Sequence, residues 1–172
     1  MTPTIRELGS LKPKIDPSAY IADGVRILGD VMIGKNASIW YNCVVRGDAD
    51  RIEIGENTNI QDGTIVHVDH GVPCLIAKNV GVGHNAILHG CVIKEGALIG
   101  MGAILLSGSE VGEGAVIAAG ALVTEGQKIP PRTVWAGIPA RQIKEVPKEM
   151  EDPGLMNSRE YVKVYTPMHR KG

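Results

Sequence analysis

Phenylalanine is absent from this 172-residue chain, which has only two tryptophans and four tyrosines. Hydrophobic residues still make up 44% of it, so any core has to be aliphatic and assembled from many similar small units. Excess charge is missing too. A formal net charge of -1 removes the electrostatic basis for nucleic-acid binding, and no block of like charge forms a tail. No run reaches the roughly 18 apolar residues of a membrane-spanning helix, and Met1 to Leu11 lacks the apolar centre of a secretory signal. The expectation is a soluble cytoplasmic protein with neither a membrane nor a nucleic-acid partner. Cys43, Cys74 and Cys91 are odd in number and lack metal-ligand spacing. Glycine, by contrast, is abundant, with 22 residues, and supplies turn conformations that other residues reach only at a cost.

The length suits one domain, and a repeat organises it. Ile15, Ile21, Ile27, Ile33, Ile39 and Val45 recur every six residues. The beat resumes at Ile54, Ile60 and Val66, then at Ile76, Val82 and Leu88, and then from Ile93 in unbroken steps to Trp135. Four residues after the aliphatic comes a small residue, as at Ala37, Cys43, Thr58, Thr64, Ala86 and Ala97. Three residues after it comes glycine, from Gly96 through Gly126. Each hexad reads as a short β-branched strand followed by a turn, and only stacking lets such units bury their aliphatic side chains. The β-helical domain spans 15–141, with residues 1–14 capping its first coil. Residues 142–172 form a charged linker and then a helix from about Leu155 to Tyr165, with Asn157 or Ser158 near its start.

Function is to be sought where the beat fails. Val45 to Ile54 is nine residues, Val66 to Ile76 is ten, and Leu88 to Ile93 is five. The repeat resembles that of hexapeptide-repeat proteins, which implies three hexads per coil; Val45, Val66 and Leu88 then lie on one face in successive coils, so all three irregularities leave from one edge. The residues that follow them, Arg46, His67 and His89, point outward. Neighbouring strands lie about 4.8 Å apart, close enough for His67 and His89 to share a metal. His84 falls at a corner of the preceding face, most of a prism face away, so a neighbouring subunit must present its own His84. A closed ring satisfies every such site with identical contacts. His169 reads as a surface residue, and Cys43 and Cys91 as core.

The stretches Val44-Val45-Arg46-Gly47-Asp48, Asn59-Ile60-Gln61-Asp62-Gly63 through His67, and Gly83-His84-Asn85-Ala86-Ile87-Leu88-His89-Gly90 resemble the gamma-class carbonic anhydrases among hexapeptide-repeat proteins. That resemblance implies an all-β fold, a left-handed parallel β-helix with a C-terminal α-helix, assembled as a homotrimer. It implies metal ligation by His67, His84 and His89, with Zn2+ as the ion and Fe2+ or Co2+ as possible alternatives. It carries the family's paired Arg and Asp onto Arg46 and Asp48, and its site glutamine and adjacent residues onto Gln61, Asp62 and Asn59. The implied reaction is reversible hydration of carbon dioxide to bicarbonate, by a water whose pKa the zinc lowers to about 7, with Gln61 orienting it. Tyr161 on the C-terminal helix is a further candidate.

The chain departs from the family prototypes in two places. Ala49 stands where they carry a glutamate, and the loop Val68-Asp69-His70-Gly71-Val72-Pro73 is short where theirs is long and bears a proton-shuttling glutamate. His70 is the candidate substitute, because its unperturbed pKa is near 6.5. Two other readings share the same coil. One is a hexapeptide acyltransferase using acyl-CoA, which fits the Gly-x-Pro-Ala ending at Gly137 to Ala140; the other is a non-catalytic metal-binding scaffold.

Overall fold

In the computed structural model, which describes residues 2–170, parallel strand pairing carries the six-residue beat into three faces. Ile27, Val45, Val66, Leu88, Leu105 and Val123 stack in register on the first. Ile15, Ile33, Ile54, Ile76, Ile93, Val111 and Ile129 stack on the second. Ile21, Ile39, Ile60, Val82, Ile99, Ile117 and Trp135 stack on the third. The result is a parallel β-solenoid of about seven turns. All of these side chains are buried except Ile15, Ile21 and Trp135, which lie in the first and last coils, where no further coil covers them. Burying one aliphatic side chain of this size is worth about 1.5–3 kcal/mol, which is why the column tolerates nothing polar.

The corner positions explain the other two columns. Ala37, Cys43, Thr58, Thr64, Ala86, Ala97, Ala103, Ser109, Ala115 and Ala121 are all buried at the turns, where only small side chains fit. The residue before each adopts a positive φ. In the later coils it is glycine, as at Gly102 (66°) and Gly120 (68°). In the earlier ones it is mostly asparagine: Asn36, Asn42, Asn57, Asn79 and Asn85 lie at 54° to 60°. Asparagine tolerates this left-handed region better than other side chains, so one column has two residue types. Asn36, Asn57 and Asn79 also bond one another along their edge, at 3.4 and 3.0 Å.

Thr4–Arg6 pairs with the strand Arg26–Ile33, and so does Lys14–Ile15. At the other end the expected linker begins instead with a strand, Arg141–Glu145, antiparallel to Thr133–Ala136. A helix, α1, runs Pro153–Glu160 and is followed by a π-helical turn Tyr161–Tyr165 and a short helix α2 at Thr166–His169. The helix therefore starts at Pro153, two residues before the expected Leu155, with Asn157 and Ser158 in its second turn. Pro153 can occupy the first helical position because its missing N–H has no intrahelical partner there. Gly154, Ser158 and Thr166 are buried and Val162 half-buried, four residues apart each time. A pure α-helix would drift off such a stripe, and the wider π turn holds it against the prism.

Candidate metal centre

The three irregular steps do leave from one corner. Arg26–Ile33 and Val44–Ile54 are long strands that round it together, with a register shift after Gly29. Gly29 lies opposite Gly47 and Val31 opposite Ile52, so the extra residues bulge out across Asp48 to Arg51. Glycine is required at 29: its φ is 80°, and a Cβ there would lie 2.2 Å from the Gly47 carbonyl oxygen. In the second irregularity Asp69 and Val72 close a tight turn inside the six-residue loop.

His67 and His89 stand side by side in register, half-buried on the outer surface of the first face. His67 Nδ1 lies 3.0 Å from His89 Nε2. From this pair a polar string runs both ways. His67 Nε2 lies 3.0 Å from Asp48 Oδ1, and Arg46 bonds the other oxygen of the same carboxylate. On the far side, His89 Nδ1 lies 3.0 Å from Ser107 Oγ, which donates to Asp69 Oδ2 at 2.7 Å. Desolvation acts to raise the Asp48 carboxyl, but the bonds from Arg46 and His67 outweigh it and hold Asp48 below the ordinary carboxylate value.

The donor set fits a cation. The four contacts from Asp48 to Asp69 need four protons, whereas two neutral imidazoles and one hydroxyl supply three. One further positive charge completes the string, either a proton or a metal ion. Two nitrogens on a tetrahedral ion at about 2.0–2.1 Å stand roughly 3.3 Å apart, near the spacing found here. His84 is elsewhere, on the turn after Gly83, with Nδ1 2.7 Å from Asp62 Oδ2. A neutral ring bonded through Nδ1 leaves Nε2 as its lone-pair nitrogen, the tautomer a metal ligand needs. Among the described residues of one chain, no three His, Cys, Asp or Glu side chains converge on one point.

The remaining candidates fall into two groups. Gln61 and Asn59 are buried and bonded, with Gln61 Nε2 donating to Asn59 Oδ1 at 3.0 Å. Tyr161 packs edge-on to Trp40, ring centroids 5.1 Å apart, and burial, with the charge of Asp62 adding to it, pushes its hydroxyl up to about 12. His70 is exposed, and no hydrogen bond or ion pair engages it among the described residues. His169 is exposed as expected, yet its ring also stacks edge-on to Trp40 and bonds Tyr41 Oη at 2.9 Å. Cys43 and Cys91 are wholly buried, as is Cys74, and burial pushes the Cys43 thiol up to about 12. Sequence reasoning missed Ser107 and Asp69. Counting one coil onward from His89 leads to Leu106, since Leu88 pairs with Leu105; the serine is the next residue along.

An apolar stripe flanks the histidine column. Val44, Ile65, Ile87, Ile104 and Leu122 stack in register on the outside of the same face, and Ile65 is 44% exposed and Ile87 37%.

The family described as bacterial transferase hexapeptide (six repeats) matches residues 12–47 and 90–125. A protein named probable carbonic anhydrase from Methanocaldococcus jannaschii is 51% identical over 150 residues, which cover 87% of this chain and 94% of that one. The chain belongs to the gamma carbonic anhydrase family. A mitochondrial gamma carbonic anhydrase 2 of Arabidopsis thaliana is 43% identical over 85% of this chain, which spans about half (55%) of that relative's length. A solved Bacillus cereus protein, provisionally assigned as an acetyltransferase, superposes with a TM-score of 0.95 at 43% identity, covering 100% of both chains. Gamma carbonic anhydrase relatives and a structure carrying a transferase assignment thus share one fold, so the side chains at the corner have to decide the chemistry.

Proposed function

We propose that this gamma carbonic anhydrase family member hydrates carbon dioxide reversibly to bicarbonate at a metal site shared between subunits of a homotrimer. The observation that carries the reading is the facing pair His67 and His89, each anchored on its far nitrogen, in a string one positive charge short. These two residues hold the ion, and His84 from a neighbouring copy supplies the third imidazole. Zinc is the ion that three neutral imidazoles suit best, and when bound it lowers the pKa of a coordinated water to about 7.

The chain's own residues prepare that site. Arg46 fixes Asp48, and Asp48 fixes the His67 ring in both tautomer and orientation. Asp69 does the same for His89 through Ser107. Asp62 sets the His84 tautomer. Gln61 offers a side-chain oxygen to a hydrogen-bond donor, since its nitrogen is given to Asn59. His70, exposed on the short loop, is the candidate to carry protons to solvent. The stripe from Val44 to Leu122 supports assembly, because it leaves apolar side chains exposed beside the incomplete site.

Metal analysis of the purified protein together with stopped-flow hydration of carbon dioxide tests this reading. About one metal per chain is expected in a trimer with one complete site at each interface, along with metal-dependent hydration. The Bacillus cereus structure favours an acyltransferase as the second reading. Binding and turnover of acyl-CoA by metal-free protein would establish that reading instead.

A further inference from the structure

Three side-chain amides run in series from the C-terminal helix to the candidate site. Asn157, in the middle of α1, accepts at Oδ1 a 2.9 Å hydrogen bond from Asn59 Nδ2. Asn59, wholly buried, accepts at its own Oδ1 the 3.0 Å bond from Gln61 Nε2. A primary amide has a donor end and an acceptor end, so the first bond dictates the second. With an oxygen at position 157, Asn59 must turn its nitrogen toward the helix and its oxygen toward Gln61. Gln61 then gives up its nitrogen and keeps Oε1 uncommitted. A donor at position 157 would reverse all three amides and present an N–H instead.

Gly81 gives an independent sign that this arrangement is built. It lies in register with Asn59 on the adjacent strand, and its φ is not in the left-handed region, so the backbone itself does not call for glycine. What glycine provides is space. A Cβ at this position would stand 2.4 Å from Asn157 Oδ1 and 2.9 Å from Leu98 Cδ1.

We propose that Asn157 is a positioning residue that sets the hydrogen-bonding polarity of Gln61 through Asn59. The proposal rests on Gln61 belonging to the site, as read above. It gives the C-terminal helix a role in the chemistry: the helix seats the acceptor that orients the relay, without touching substrate. Because one neutral hydrogen bond is at stake, and with it the alignment of one site oxygen, loss of the Asn157 oxygen is worth about five- to tenfold in rate.

Three variants of the metal-loaded trimer test it: Asn157→Ala, Asn157→Asp and Gly81→Ala. Asn157→Ala should lower kcat for carbon dioxide hydration by about five- to tenfold with KM within about twofold, at unchanged metal content and oligomeric mass. Asn157→Asp keeps an oxygen that can only accept, so it should retain kcat within about twofold. Gly81→Ala displaces the Asn157 oxygen without altering any amide and should match Asn157→Ala. The direct readout is the nitrogen-15 resonance of the Gln61 side-chain amide in metal-free protein, identified by its absence in Gln61→Glu. It should move in Asn157→Ala and stay in place in Asn157→Asp. Equal impairment of the Ala and Asp variants, or an unmoved Gln61 resonance in Asn157→Ala, overturns the relay. If the wild-type trimer hydrates no carbon dioxide, the functional reading fails while the resonance still decides the relay.

Discussion

Ser107 carries no charge and makes two bonds, yet it decides which way the His89 ring faces. Its hydroxyl donates to Asp69 at 2.7 Å and lies 3.0 Å from His89 Nδ1. Partners that orient a metal-ligating imidazole typically contribute about 10–100-fold in metal affinity, and Ser107→Ala should lose that much in a competition titration against a chelator while the fold is retained. Tyr161 makes a separate prediction. Burial raises its hydroxyl from 10 to about 12, so its contribution to stability is complete below about pH 10 and is lost as pH rises through that window toward 12. Resistance to denaturant should therefore fall between pH 10 and 12, less so in Tyr161→Phe, with Tyr20, also raised to about 12, accounting for the remaining slope. At this scale the sequence made His67 and His89 legible, because two outward residues flanking an interrupted beat must stack. The Asp62–His84 pair was legible only as equivalent corners one coil apart. Ser107 escaped because hexads run unbroken through it, so nothing in the period marks it.

The helical segment at the C-terminus is held by close approach more than by apolar contact. Gly154 is buried, and a Cβ there would meet the Ala97 carbonyl oxygen at 2.1 Å and Gly96 backbone atoms at 2.6 Å. Alanine would gain about 1 kcal/mol of helix propensity, but the obstacle is backbone that cannot swing away. Gly154→Ala should lift α1 off the prism, seen as faster amide exchange across 153–169 with protection in the coils unchanged. The strand Arg141–Glu145 was not legible as a strand, because five exposed residues with three charges carry no apolar alternation. It exists because the backbone of Thr133–Ala136 at the end of the solenoid offers it hydrogen bonds. The asparagines of the early coils were overlooked for a related reason: they serve glycine's turn with a different residue. The π turn has no sequence signature; the need to keep Gly154, Ser158 and Thr166 on one stripe produces it.

For the whole molecule, the six-residue beat yields a three-faced prism once the resemblance to hexapeptide-repeat proteins supplies three hexads per coil. Three hexads per coil put Val45, Val66 and Leu88 in one column, and strand register agrees. Among the described residues, no helix is long and apolar enough to cross a membrane. The same arithmetic separates His84 from His67 and His89, and that separation leads to assembly. Ile87→Asp, which places a charge in the exposed stripe, should shift the proposed trimers toward monomers in analytical ultracentrifugation and lower metal content with them, because the proposed sites form only between chains. The most direct measurement mixes two defective parents. His84→Ala subunits keep one half of the site, and His67→Ala/His89→Ala subunits keep the other. Around a ring of three, every mixed trimer then contains one interface with all three histidines. After refolding the two together, mixed trimers are predicted to bind about one metal each while neither parent trimer binds any. Mixed trimers without metal, or His84→Ala trimers that remain fully metallated alone, would contradict a site shared between chains.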